Sequence, residues 1–393
     1  MSRRLLIVAA LVALVIFPVA ALASWTSTGS GAGYSKATSM PAGNTPSASV
    51  SGRNVTVSWT ASSGAQVAGY RVKRYNNSGT LQTIGSACSG TIAGTSCTES
   101  AVPAGTWRYT VTPVNNNWSG AESAQSTAVT VAAAAMTLSP TTITSLPATL
   151  TGQVTSFISG QTVTFRLDNP TTGTVLSGSI NPSPVPSNGT ASVSVTIPAG
   201  TSNGSHTVYA IGSQGDQASV AISVQVCSGG SQTVNSDADA YVRQDSATNN
   251  FGTATTVDVK ADTGGKIRRS LVHFALPSVP QYCSVTAAHL RLFASTGVTG
   301  RTLGAYQAAA SWTETGVTWN NQPATTGSAV TVASVATNST VDWTVTSQVQ
   351  ALYSGTNTGF IVKDQSETTG TTSQSFSTRE AASNKPQLVI TFG

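Results

Sequence analysis

The stretch VTAAHLRLF, residues 285–293, alternates apolar and polar side chains with a period of two. Successive residues of a strand point to opposite faces of a sheet. Ala288, Leu290 and Leu292 therefore form one face, and His289, Arg291 and Phe293 form the other. The same period recurs along the chain: NVTVSW at 54–59, YRVKRY at 70–75, TVTFRL at 162–167, SVSVTI at 192–197, TVDVK at 256–260 and LVITF at 388–392. Ser, Thr, Gly, Asn and Pro fill the intervals, as short strands joined by tight turns require. One convincing helical piece interrupts the pattern, TSQVQALYSG at 346–355. There Val349, Leu352 and Tyr353 share a stripe, Thr346 or Ser347 can cap the start, and Gly355 can end it. The reading is an all-β chain.

Only 8% of the 393 residues are charged, against roughly 25% in an average soluble protein. Disordered chains combine low hydrophobicity with high net charge; here 39% of residues are apolar and ordered in strand patterns. Residues 1–23 read as a secretory signal peptide. Arg3 and Arg4 precede the apolar run 5–23, and Ala21-Leu22-Ala23 fits a cleavage site. A run of that length could also remain as a membrane anchor, but Pro18 and the small residues after it favour cleavage, which leaves no stable membrane span. Removing Arg3 and Arg4 from the 19 basic residues leaves 17 against 14 acids, too balanced and dispersed to indicate nucleic acid. Four cysteines in an exported chain should be paired. Proximity and module membership suggest Cys88–Cys97 and Cys227–Cys283, which places the protein outside the cell, secreted or at the cell surface.

Three tandem β-sandwiches follow a flexible leader at 24–44. In the first, residues 45–131, Trp59 lies on an early strand, YRVKRY on another, and Trp107, Tyr109 and Val111 share a face of a third. This segment resembles a fibronectin type III domain, which implies a seven-stranded sandwich serving as spacer or binding module, with Trp59 in its core. After an alanine run at 132–135, residues 136–226 repeat the strand pattern and resemble a bacterial immunoglobulin-like domain. Asp168, Asp216, Arg166 and the lone His206 are its only ionisable side chains of those types, too few for acid–base chemistry.

The third module, residues 227–393, holds ten of the 14 acids, 13 of the 25 aromatic residues and two of the three histidines. The pieces ADAYVRQDSATNNFG, RRSLVHFALPSVP, AAHLRLF, SWTETGVTWNNQP, VDWTVTSQVQALYSG, NTGFIVKD and FSTREAASNKPQLVITF follow one another in the order of the DNRLRE domain, also classed as carbohydrate-binding module family 96, which the module resembles over about residues 231–392. Two departures stand out: the six-letter string that names the family is absent, and a strand that often reads R-F-D in relatives is His273-Phe274-Ala275. The resemblance implies a jelly-roll-like β-sandwich on a secreted or surface protein that takes a polysaccharide such as alginate.

Sugar-binding surfaces place aromatic rings against the apolar C–H faces of pyranoses. Trp312 and Trp319 either form such a platform or anchor a long loop onto the sandwich; Gly316 between them frees the geometry, and Asn320-Asn321-Gln322-Pro323 signals a turn. Trp343 reads as a packing residue. Taking VNSDADAYVR (234–243) as one strand puts Val234, Ala238, Ala240 and Val242 inward and Asn235, Asp237, Asp239, Tyr241 and Arg243 outward. In TVDVK, Val257 and Val259 point in and Asp258 and Lys260 out. RRSLVHFAL is apolar on both faces, with His273 buried and hydrogen-bonded. The candidate glycan face comprises Trp312, Trp319, Tyr241, Arg243, His289 and Arg269. Within the cluster Lys266-Ile267-Arg268-Arg269, arginine could fork a uronate carboxylate or open a strand from a solvated turn. Asp237, Asp239 and Asp245 could hold a structural calcium ion, or pair with Arg243, Lys260 or Arg379 across strands.

No nucleophile elbow, HExxH or flanking carboxylate pair is recognisable. The sequence therefore predicts a non-catalytic, extracellular carbohydrate-binding protein whose last module takes an alginate-like or other cell-wall or matrix glycan. The alternatives are a structural or adhesive surface protein without a dedicated sugar site, and, third, a polysaccharide lyase.

Overall fold

The computed structural model describes residues 39–64 and 66–393; the expected signal peptide at 1–23 and most of the expected leader lie outside the described residues. The chain is all-β, with a single α-helix, Thr346–Ser354, among the described residues.

The first sandwich opposes a three-stranded sheet, Ser47–Ser51, Asn54–Ser58 and Ser96–Glu99, to a five-stranded sheet built on Gly69–Asn76 and Gly105–Asn115. Trp59, Tyr70, Trp107 and Tyr109 are buried between them with Val55, Val57 and Val111. The described end of the leader is held against this sandwich: Gly43 donates its N–H to the Ala121 carbonyl, and the Asn44 amide donates to Thr60 and Ala61. A disulfide joins Cys88 to Cys97, nine residues apart. The core contains one ion pair, Arg74 to Glu99 at 2.7 Å, both nearly inaccessible. Glu99 also accepts from the Gly85 N–H and the Tyr109 hydroxyl, and the Arg74 guanidinium lies 4.6 Å over the Trp107 ring.

In the second sandwich, strands from Ala135–Ser139 to Gln217–Val224 enclose Phe157, Phe165, Leu150, Val195 and Ile197. The alanine run ends as structure, because Ala135 opens the first strand and pairs with Thr155. His206 Nδ1 lies in hydrogen-bond contact with the Asp168 carboxylate at 2.8 Å. Arg53 of the first sandwich meets Asp216 of the second at 2.7 Å.

In the third module one continuous ladder folds around its core. It runs Gly230–Asn235, Gln387–Phe392, Val285–Thr296, Thr371–Ser377, Thr256–Asp262, Arg268–His273, Phe360–Asp364, Thr302–Ala308, Thr325–Ala333. Strand Ala238–Arg243 pairs onto Arg268–His273, and Ser339–Thr344 pairs onto Val285–Thr296. Trp343, Phe274, Phe360, Phe376, Leu290 and Leu292 fill the interior. Trp343 is fully buried and donates its Nε1–H to the Leu303 carbonyl, so it is a packing residue. The Cys227–Cys283 disulfide ties the entry of the module to the turn before Val285–Thr296 across 56 residues.

Three local expectations are corrected. The segment 234–243 belongs to two strands: the chain leaves the Gln387–Phe392 strand at Asn235, breaks at Ser236-Asp237, and joins Arg268–His273 from Ala238. The break resets the alternation, so Tyr241 packs against the main core, while Ala240 and Val242 enter a separate apolar cluster with Leu271 and Ile361. Asp258 is covered rather than outward, because Arg268 and the Ser375 hydroxyl bond its carboxylate. The helix has no side-chain N-cap, since Thr346 Oγ1 instead accepts the Ala288 N–H; Gly355 does close the other end.

Removing the cation of a buried pair leaves the carboxylate uncompensated. Arg74→Ala should therefore cost roughly 3–5 kcal/mol in chemical denaturation; a loss below about 1 kcal/mol would show that Glu99 is satisfied without it.

Candidate functional site

Strand Val285–Thr296 is paired on both edges, and its registers align polar residues across four strands. Arg291 stands opposite Gln387 on one side and Asp342 on the other, and Gln387 in turn stands opposite Asn235. Directly paired residues of antiparallel strands share a face. Asn235, Gln387, Arg291 and Asp342 thus make one transverse row, with Phe293 opposite Thr340 beside it. The reverse face of the same strands carries Leu290, Leu292, Leu388, Val341 and Trp343 into the core. Burial of that face fixes which residues face out.

The row floors an open groove of about 750 Å³, whose far wall is the turn Ala382, Ser383, Asn384 and Lys385. Phe293 is half-buried and contributes the groove's aromatic surface. Asp342 accepts from Arg291 Nε at 2.8 Å and contacts His289 Nδ1 at 2.7 Å. Burial opposes ionisation of Asp342, but hydrogen bonds from Arg291 and His289 outweigh it and hold the carboxyl below the usual carboxylate range. Such a group stays ionised at neutral pH; the stability it lends is lost only as pH falls through its lowered pKa. The groove therefore offers fixed charges of both signs, three amides from Asn235, Asn384 and Gln387, and one ring. That set can bond hydroxyl or carboxylate groups and cover an apolar sugar face.

The six candidate glycan residues fall in three places. His289 lies beside the groove, through its contact with Asp342. Trp312 and Trp319 are half-buried on the other small apolar cluster, over Ala240, Val242, Leu271 and Ile361. Trp312 donates its Nε1–H to the Thr358 carbonyl at 3.1 Å, and Arg269 lies 4.8 Å over the Trp319 ring. Arg269 is itself forked onto Glu367, at 2.6 and 2.8 Å. Tyr241 stacks on Phe251 at 4.7 Å, with Arg243 over the same Phe251 and paired to Asp245. These residues do not form one continuous face. Tyr241 and Arg243 alternate with Ala240 and Val242, so the strand places them opposite the two tryptophans. Sequence alternation had marked Arg291, Phe293 and Asn235 as outward, yet Lys385, Asn384 and Gln387 were missed.

The proposed calcium ligands do not converge either. Asp237 precedes the strand and bonds His273 at 2.6 Å, and Asp245 is held by Arg243. His273 is hydrogen-bonded as expected, though about a quarter of its side chain stays exposed. Asp239 is turned inward and only 1% exposed, where its carboxylate lies close to those of Glu314 and Glu380. Burial, with Glu380 and Glu314 nearby, raises its pKa to about 6 against the lowering effect of bonds from Arg379 N–H and Ser236.

Residues 230–392 match the model of carbohydrate-binding module family 96. The groove and both tryptophans lie inside that family 96 match. No curated protein matches the chain. Among solved structures, it is similar to the FN1–FN3 domains of chicken CNTN1, at 12% identity over 77% of this chain and 88% of that one, with a TM-score of 0.22. A tetra-tandem repeat from the extending region of a large adhesion protein gives 12% identity, 86% and 73% coverage and a TM-score of 0.20. A Bacteroides ovatus glucan-utilisation protein, SGBP-B, in complex with a mixed-linkage heptasaccharide, gives 13%, 86%, 71% and 0.18. Likenesses this slight show no more than shared β-rich architecture.

Trp312→Ala should destabilise the module by on the order of 2 kcal/mol, below the roughly 3–5 kcal/mol of a fully buried tryptophan. Equilibrium denaturation checks this, and a variant as stable as the parent would place the ring on a free surface.

Proposed function

We propose that this is an exported, non-catalytic carbohydrate-binding protein, whose last module takes a polysaccharide in the groove over Arg291 and Phe293. The observation that carries the reading is the in-register row Asn235–Gln387–Arg291–Asp342 beside Phe293, within the segment that matches family 96. Phe293 would lie against a pyranose face, and the amides would exchange hydrogen bonds with hydroxyls. Arg291 and Lys385 make an alginate-like polyuronate the first ligand to test, because a guanidinium matches a carboxylate in bidentate geometry. The first two sandwiches serve as spacers carrying the module, and the boundaries near residues 131, 136 and 227 separate the three units.

The groove's chemistry argues for binding over cleavage. Glycoside hydrolysis needs two carboxylates about 5–9.5 Å apart, one able to hold a proton. Asp342 is the one acid lining this groove, and its lowered pKa and contacts to Arg291 and His289 suit neither role. Two disulfides accord with an oxidising, extracellular setting. No helix of the described residues is long and apolar enough to cross a membrane.

The test is a polysaccharide screen with the full chain, followed by titration of Phe293→Ala and Arg291→Ala. Each should weaken binding at least about tenfold, a loss of roughly 1.4 kcal/mol, at an unchanged melting temperature. Absence of saturable binding to any polysaccharide would favour a structural or adhesive role, and release of unsaturated products would revive a lyase.

A further inference from the structure

Asp239, Glu314 and Glu380 come from a strand, from the loop carrying Trp312 and Trp319, and from the turn after strand Thr371–Ser377, yet ligand atoms of all three lie within 4.8 Å of one another. Acidic groups gather on many surfaces without an ion, but one atom here is unusual. Asp239 is 1% exposed, and its Oδ1 is buried with no hydrogen-bond partner. Its other oxygen is occupied, accepting from Ser236 Oγ at 3.1 Å and from the Arg379 N–H at 2.8 Å. Those bonds fix the carboxylate's orientation, and a buried acceptor left unpaired is costly.

We propose that these three carboxylates bind one divalent cation, with calcium as the fitting ion. Charge supports this count. Arg379 is the cation among them, its Nε 3.0 Å from Glu314 and 2.8 Å from Glu380. One guanidinium against three carboxylates leaves two negative charges, which a divalent ion neutralises. The donors are all hard carboxylate oxygens, without histidine or cysteine, and such sets select calcium or magnesium over zinc or copper. Magnesium demands near-ideal octahedral geometry, whereas calcium accepts six to eight oxygens in an irregular shell. Exposed Glu380 leaves room for the waters that complete such a shell.

The ion joins segments that are otherwise distant in sequence. It ties the tryptophan loop to the sheet, and it anchors the chain immediately before Ala382–Lys385, the wall of the groove. The site is independent of what the groove binds.

Calorimetry on the chelator-treated full chain tests it. Calcium should bind at one site per chain and raise the melting temperature by several degrees when saturating. Glu380→Gln, at an exposed position, should keep the parent's melting temperature in chelator and weaken calcium binding at least about tenfold; Glu314→Gln should weaken it likewise. No calcium binding up to about 10 mM overturns the proposal, as does unchanged affinity in both glutamine variants. Magnesium binding as tightly as calcium overturns the choice of ion.

Discussion

Strand Val285–Thr296 is hydrogen-bonded along both edges while one of its faces is sealed in the core. Leu290 and Leu292 are fully buried, and a shift of register by one residue would expose them and bury Arg291. That penalty fixes the register with Gln387–Phe392 and with Ser339–Thr344 together. The polar row on the opposite face follows from it, since in-register neighbours cannot choose their side independently. The groove is thus a by-product of core packing: apolar burial on one surface aims charge, amide and ring on the other.

Trp312 and Trp319 pack on a different surface. Strands Arg268–His273 and Phe360–Asp364 bury apolar residues on both faces, with Val272, Phe360 and Val362 in the main core and Leu271 and Ile361 behind it, beside Ala240 and Val242 of the neighbouring strand. A sheet apolar on both faces needs cover on both. The loop bearing Trp312 and Trp319 provides it, fastened by the Thr358 carbonyl and by Arg269 over the indole. Of the two readings open for these rings, platform or loop anchor, their packing over apolar residues matches the loop anchor.

What was legible in the sequence was what depends on local period. The all-β class, the two-sided strand at Leu271-Val272, the burial of Trp59 and Trp343, the outward Arg291 and Phe293, and both disulfide pairings could be read from alternation, composition and proximity. The break at Ser236-Asp237 could not, because two residues of irregular chain leave no mark on a polar run; that break moved Asp239 inward and Tyr241 to the core. The groove's far wall and the meeting of Asp239 with Glu314 and Glu380 depend on contacts across 75 to 140 residues, for which sequence spacing gives no signal. Partners distant in sequence are equally invisible for the arginine cluster: Arg268 pairs with Asp258 and Arg269 with Glu367.

The central claim is that the outward face of strand Val285–Thr296, and not the tryptophan loop, meets the carbohydrate. Backbone and side-chain NMR shifts of the chain, followed while a bound oligosaccharide is titrated in, test this most directly. The account predicts the largest changes at Arg291, Phe293, Lys385 and Gln387, with the indole N–H signals of Trp312 and Trp319 nearly unmoved. Large shifts of those indoles with a silent Phe293 would contradict it.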